Sequence, residues 1–119
     1  MNILEKSREF SVYQLYQLTK DPTITNLKDH VGEVLEITGY LLREDEGGGQ
    51  NGKVLSLALS EGGAVSTNSP TVQKSFADIL ALYAGAGVEN PYPITLEVFT
   101  AEAKKSGRTY CDIRLVEAE

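Results

Sequence analysis

Four stretches of the chain alternate apolar and polar residues, and two others place apolar residues at helical spacing. Between Glu33 and Asp45, Leu35, Ile37 and Leu41 alternate with Glu36, Thr38 and Tyr40. A period of two predicts a strand with one buried face. Gly39 falls on the buried side of that register, and a glycine inside a strand marks a bulge or a sharp bend. From Lys53, Leu55, Leu57 and Leu59 point inward while Val54, Ser56 and Ala58 point outward. Glu61-Gly62-Gly63 is a turn, and Ala64 to Asn68 is a short third strand. Further on, Ile94, Leu96 and Val98 turn inward against Thr95, Glu97 and Phe99. Lys104-Lys105-Ser106-Gly107 is a turn. In the last strand Cys111, Ile113 and Leu115 face inward, and Tyr110, Asp112 and Arg114 face outward.

The two helical stretches have clear starts. Ser11 is in a capping position before Val12, Leu15, Tyr16 and Leu18, and Asp21-Pro22 stops the run, because the residue before proline avoids the α region. This predicts a short helix over 12–19, followed by a loop or another short helical turn over 22–32. Ser69 is an N-cap with Pro70 at the first helical position. Val72, Phe76, Ile79, Leu80 and Tyr83 then share one face, and Gly85 or Gly87 ends the helix. The order is a leading helix, three strands, a helix and two strands. With a glycine bend in the first strand, this β-β-β-α-β-β order predicts a mainly β fold, the five-stranded oligonucleotide-binding (OB) barrel. The other architecture it allows is an open antiparallel sheet with the second helix on one face.

The 119 residues fit one domain, 1–119, and the apolar and charged fractions of 41% and 24% are those of an ordinary globular protein. The single cysteine, Cys111, excludes an intramolecular disulfide and suits a reducing compartment. The first ten residues, MNILEKSREF, lack the apolar run of a signal peptide, and no segment is long enough to span a membrane. A cytoplasmic protein is expected. The formal charge of −6 argues against a general nucleic-acid sponge. Binding depends on local potential, however, and acids can be segregated to other faces.

Catalysis has no visible machinery. The lone histidine, His30, reads as a local hydrogen-bonder, since a base also needs a positioned partner. Cys111 reads as a structural thiol on an inward register. No Cys/His cluster has metal-ligand spacing. The acidic, glycine-rich run from Glu44 lacks the ligand spacing of a calcium loop and the Lys-Ser/Thr ending of a phosphate loop, and reads as a solvated, mobile loop. No cofactor, metal or enzymatic activity is expected.

Binding has more support. Tyr40, Phe99 and Tyr110 are outward aromatics in this register, and Arg43 and Arg114 share their broad region. Lys104, Lys105 and Arg108 crowd the tip of the last hairpin. Exposed rings edged by cations make a stacking platform for single-stranded nucleic acid: bases stack at about 1–3 kcal/mol each while cations hold phosphates. The loops that flank this surface in an OB barrel correspond here to residues 44–53, which include Lys53, and 103–108. The plainer alternative is that strand aromatics pack on a helix or a second subunit, and that hairpin lysines guard against edge pairing. The local balance is modest: from Tyr92 to Val116, four cations face three carboxylates, a net of +1.

VSTNSPTVQKSF (65–76) and KKSGRTYCDIRL (104–115), with the layout of LYQLTKDPTITNLKDHVGEVLEITGYLLRED (15–45), resemble the small single-stranded DNA-binding proteins encoded by phages of Gram-positive bacteria. The resemblance implies an OB-fold, non-enzymatic and oligomeric protein that coats single-stranded DNA during phage replication or recombination. It carries over to Lys104, Lys105, Gly107, Arg108 and Tyr110 in the hairpin, and to Asn68–Thr71 as a helix cap. Gly107 is expected to supply a positive φ. Together these readings predict binding of single-stranded DNA without strong sequence preference. Tyr40, Phe99 and Tyr110 would stack bases, and Arg43, Lys53, Lys104, Lys105, Arg108 and Arg114 would contact phosphates. Expected partners are single-stranded DNA, a second copy in a homodimer, and replication or recombination proteins, with no membrane. The competing class is a protein-interaction module of such a complex, using the same outer aromatics.

Overall fold

The computed structural model describes residues 2–44 and 52–117, so most of the glycine-rich loop read above lies outside the described residues. In chain order the elements are β1 (Ile3–Lys6), α1 (Val12–Thr19), β2 (Thr25–Asn26), a 3-10 turn (Leu27–His30), β3 (Val34–Glu44), β4 (Lys53–Leu59), β5 (Ala64–Thr67), α2 (Pro70–Gly85), β6 (Ile94–Glu102) and β7 (Thr109–Leu115). Both helices begin as their caps dictate. The Ser11 hydroxyl accepts from Gln14 N while the Gln14 side chain accepts from Ser11 N, satisfying two otherwise orphaned donors. The Ser69 hydroxyl accepts from Val72 N ahead of Pro70.

The strands form one curled, open sheet in the order β2-β5-β4-β3-β6-β7, with β1 on the C-terminal half of β3. All pairings are antiparallel except β2 with β5. The five predicted strands are present, but the sheet of the described residues has seven, and its pairing does not close: β2 and β7 are its ends. The two additions are β1 and the two-residue β2.

Two apolar clusters lie on opposite faces of this sheet. On the inner face Leu35, Ile37, Leu55, Leu57, Val65, Ile94, Leu96, Val98 and Ile113 pack on Val72, Phe76 and Ile79 of α2. On the outer face Leu18 of α1 packs with Leu41 and Ala64, joined by Phe10, Leu15 and Ala58. Small residues at the outer positions of β4 and β5 make room for this helix. The Ser56 hydroxyl, fully buried, donates to Leu18 O at 2.6 Å.

Gly39 marks a bulge, as the sequence suggested, but the bulge changes the register beyond it. Ile37 pairs with Leu59 and Gly39 with Ala58, so β3 spends two residues where β4 spends one. Faces exchange at that point. Tyr40, expected outward, joins the inner core, and Leu41, expected on the inner side, is buried in the outer cluster. Leu115, expected inward, is 43% exposed, because it is the last residue of an end strand with Leu96 as its one cross-strand partner.

The glycine has a second reason. A Cβ at position 39 would lie 2.2 Å from Arg8 Nη1 and 2.9 Å from Ser7 Oγ. Ser7 N donates to Tyr40 O, the Ser7 hydroxyl accepts from Tyr40 N, and Arg8 Nη1 donates to Thr38 O at 2.5 Å. Gly39→Ala should push Arg8 off that carbonyl and cost about 1 kcal/mol, the net value of one hydrogen bond. Urea unfolding reads this directly, and an unchanged midpoint would mean that Arg8 moves aside without penalty.

Candidate nucleic-acid interface

The β6–β7 hairpin brings most of the predicted site residues together. Its register pairs Glu97 with Arg114, Phe99 with Asp112 and Ala101 with Tyr110, so these six share the outer face. Phe99 and Tyr110 sit on the diagonal, within reach of one strand. Tyr110 is 39% exposed and Phe99 is half-buried.

Arg114 is already engaged. Its Nε donates to Glu97 Oε1 at 2.6 Å, its Nη2 lies 2.5 Å from the same oxygen, and its Cζ stands 4.9 Å from the Phe99 ring centroid. Glu97 therefore compensates the guanidinium, which also lies over one face of the ring. A phosphate would have to compete with that carboxylate. Asp112, a carboxylate on the same face, is withdrawn toward α2: it accepts from the Ser75 hydroxyl at 2.6 Å and from Ile113 N at 2.8 Å.

Beyond the last pair, Glu102 with Thr109, the tip is tightly organised. Ala103 N donates to Arg108 O and Gly107 N to Ala103 O, both at 2.8 Å, and Gly107 has the expected positive φ of 68°. Lys104, Lys105 and Arg108 project from this turn, exposed to solvent, and none takes part in an ion pair among the described residues.

The other predicted residues lie elsewhere. Tyr40 is 8% exposed, makes an edge-to-face contact with Phe76 at 5.2 Å between centroids, and donates its hydroxyl to Glu5. Burial, and then that carboxylate, hold its phenol well above the ordinary tyrosine range. It cannot stack a base from this position, and the bulge is the reason. Arg43 is half-buried between Ile3 of β1 and Val54 of β4, its Nε without a hydrogen-bond partner among the described residues, and Lys53 pairs with Glu44 at the same end of β3. The β6–β7 strands are reached through the opposite end, where Val34 to Ile37 pair with β6. The expected shared region of Arg43 and Arg114 is thus divided along β3.

His30 is a local hydrogen-bonder, bridging the Thr25 hydroxyl at 2.6 Å and Glu33 at 3.1 Å. Cys111 is half-buried, and burial pushes its thiol up, away from the reactive thiolate. Among the described residues no group of three or more His, Cys, Asp or Glu side chains could hold a metal ion, and no helix is long and apolar enough to cross a membrane.

The sequence reading groups Val12 and Tyr16 with Leu15 and Leu18 as the apolar residues of α1 and names no binding residue in the N-terminal segment, but Val12 is 85% exposed. There Arg8 stacks on Phe10 at 4.7 Å, and Tyr13 and Tyr16 stand exposed on α1. The signal was available: the two tyrosines fall opposite Leu15 and Leu18 on the helical wheel.

No family model, curated protein or solved structure matches the chain.

Proposed function

We propose that this chain binds single-stranded DNA without strong sequence preference, through the outer face and tip of the β6–β7 hairpin. The observation that carries this reading is the hairpin itself. Three cations with no described ion pair stand at its tip, and Phe99 and Tyr110 share one face of its strands, in a chain of net charge −6. Rings offer sequence-tolerant stacking, and the cations offer a grip on phosphates. The path β5-β4-β3-β6-β7, with α2 between β5 and β6, supports an OB-type barrel left open at one seam. In this reading the protein is a non-enzymatic, oligomeric member of the phage single-stranded DNA-binding proteins that its motifs resemble. It acts in the cytoplasm of the host, protecting strands exposed during replication or recombination. The proposed binding residues are Phe99, Lys104, Lys105, Arg108 and Tyr110. Arg114 supports Phe99 and exchanges Glu97 for a phosphate.

A protein-interaction role for the same face is favoured by one observation. Val34, 57% exposed, adjoins it through its pairing with Glu97, which extends the apolar surface beyond the two rings.

Selectivity separates stacking from plain charge attraction. A duplex hides its base faces, so fluorescence anisotropy should show clear preference for labelled oligothymidine over a duplex of equal length. Equal affinity for both would remove the stacking role and leave only backbone electrostatics.

A further inference from the structure

In an OB barrel the oligonucleotide crosses the outer face of the second and third strands, which here are β4 and β5. That face is not open. Leu18 of α1 is buried against Leu41 and Ala64, and the fully buried Ser56 hydroxyl donates to Leu18 O at 2.6 Å. Any strand passing over β4 and β5 meets the solvent side of α1.

That side has the composition of a stacking platform. Tyr13, Tyr16 and Lys20 recur at i, i+3 and i+7, one stripe of the helix, opposite Leu15 and Leu18. Lys20 stays in helical register, since its N–H donates to Tyr16 O at 2.9 Å. Tyr13 is 68% exposed and Tyr16 46%. No carboxylate occurs from Ser11 to Lys20, in a chain with 17 acids against 11 Lys and Arg. The flanking acids are turned to other partners. Glu9 pairs with Lys6 at 3.0 Å, and Asp21 accepts from Thr23 N and Oγ1 at 2.9 and 2.8 Å.

Beside the stripe stands a fixed cation. Arg8 is held by the Phe10 ring at 4.7 Å, by Thr38 O at 2.5 Å and by the space that Gly39 leaves. It has no carboxylate partner among the described ion pairs. Arg8 lines a cavity of about 150 Å³ together with Gln14 and Gln17 of α1. A pre-positioned guanidinium suits a phosphate, because its ordering cost is met before binding.

The geometry points to α1 as a second nucleic-acid contact: Tyr13 and Tyr16 stack bases, and Lys20 and Arg8 hold the flanking phosphates of the same single strand. This rests on the proposed single-stranded DNA binding and extends it to a second patch. A strand long enough to leave the hairpin is needed to reach it.

The test compares Tyr13→Ala/Tyr16→Ala with wild type on oligothymidines of about 4 and about 16 nucleotides, the two ends of the range of OB-fold site sizes. Both rings are exposed, so circular dichroism and the unfolding midpoint should be unchanged. The variant should bind the long strand at least about fivefold more weakly, the lower limit for one stacked base, and the short one as well as wild type does. Tyr13→Phe/Tyr16→Phe, which keeps the rings, should restore the wild-type value. Wild-type affinity of the alanine variant for the long strand overturns the second patch while leaving the hairpin reading intact. So does wild-type affinity accompanied by weaker self-association in sedimentation, which would assign the stripe to a second copy of the chain. Failure of the wild-type protein to bind either strand would overturn both readings.

Discussion

Replacing Leu96 with alanine is expected to destabilise the fold by about 2–5 kcal/mol. Leu96 is 1% exposed and sits mid-sheet, paired with Leu35 of β3 on one side and Leu115 of β7 on the other. It belongs to the inner cluster that holds α2 against the sheet. Truncation removes the transfer free energy of the deleted carbons and leaves a cavity. Hydrogen-bonded strands on both sides limit how far the backbone can close it. Leu57, paired with Tyr40 and Val65 and equally buried, should respond alike. Against a typical net stability of about 5–15 kcal/mol, such a change is a large fraction of the whole. Urea unfolding followed by circular dichroism measures it. A destabilisation below about 1 kcal/mol at both positions, far short of a core truncation, would show that the inner cluster is not the main core.

Much of this architecture is legible in the sequence because the signals are physical and local. Alternation over Ile94–Val98 and Leu55–Leu59 is long enough to fix which face is buried, and Ser69-Pro70 dictates where α2 begins. Gly39 announces a bulge, yet counting by two straight through it assigns Tyr40 to the wrong face. The bulge consumes one residue, and every side chain beyond it changes side. A single position thus accounts for the misplaced stacking residue. β1 and β2 carry no periodic signal: residues Leu4 to Lys6 are exposed, and Thr25-Asn26 is a polar pair. Their pairing is a property of the sheet they join. The engagement of Arg114 with Glu97 depends on cross-strand register, which alternation within one strand does not contain. The burial of β4 and β5 beneath α1 left only a faint trace, in the small side chains of Ser56, Ala58 and Ala64.

The largest effect on binding is expected at the hairpin tip, where cations and rings contribute differently. Lys104, Lys105 and Arg108 are exposed on a turn closed by its own backbone hydrogen bonds and the positive φ of Gly107. Their joint replacement by alanine should leave folding intact and weaken binding to all sequences alike. Tyr110→Ala and Phe99→Ala should each cost about 1–3 kcal/mol of binding per stacked base, with little change in salt dependence. Of the two, Tyr110 is the more open ring, and Phe99 keeps Arg114 over one face.

Salt is the discriminating variable, since cations that neutralise phosphates release counterions and ring stacking does not. The most direct measurement is therefore an anisotropy titration of oligothymidine over a range of salt concentrations, comparing the wild-type protein with Lys104→Ala/Lys105→Ala/Arg108→Ala. If the tip grips the strand, the triple variant binds more weakly, and its plot of log affinity against log salt is flatter by about 0.7 for each phosphate it no longer neutralises. If wild type and variant bind equally at every salt concentration, the three cations only keep an exposed turn soluble, and the hairpin is not the grip.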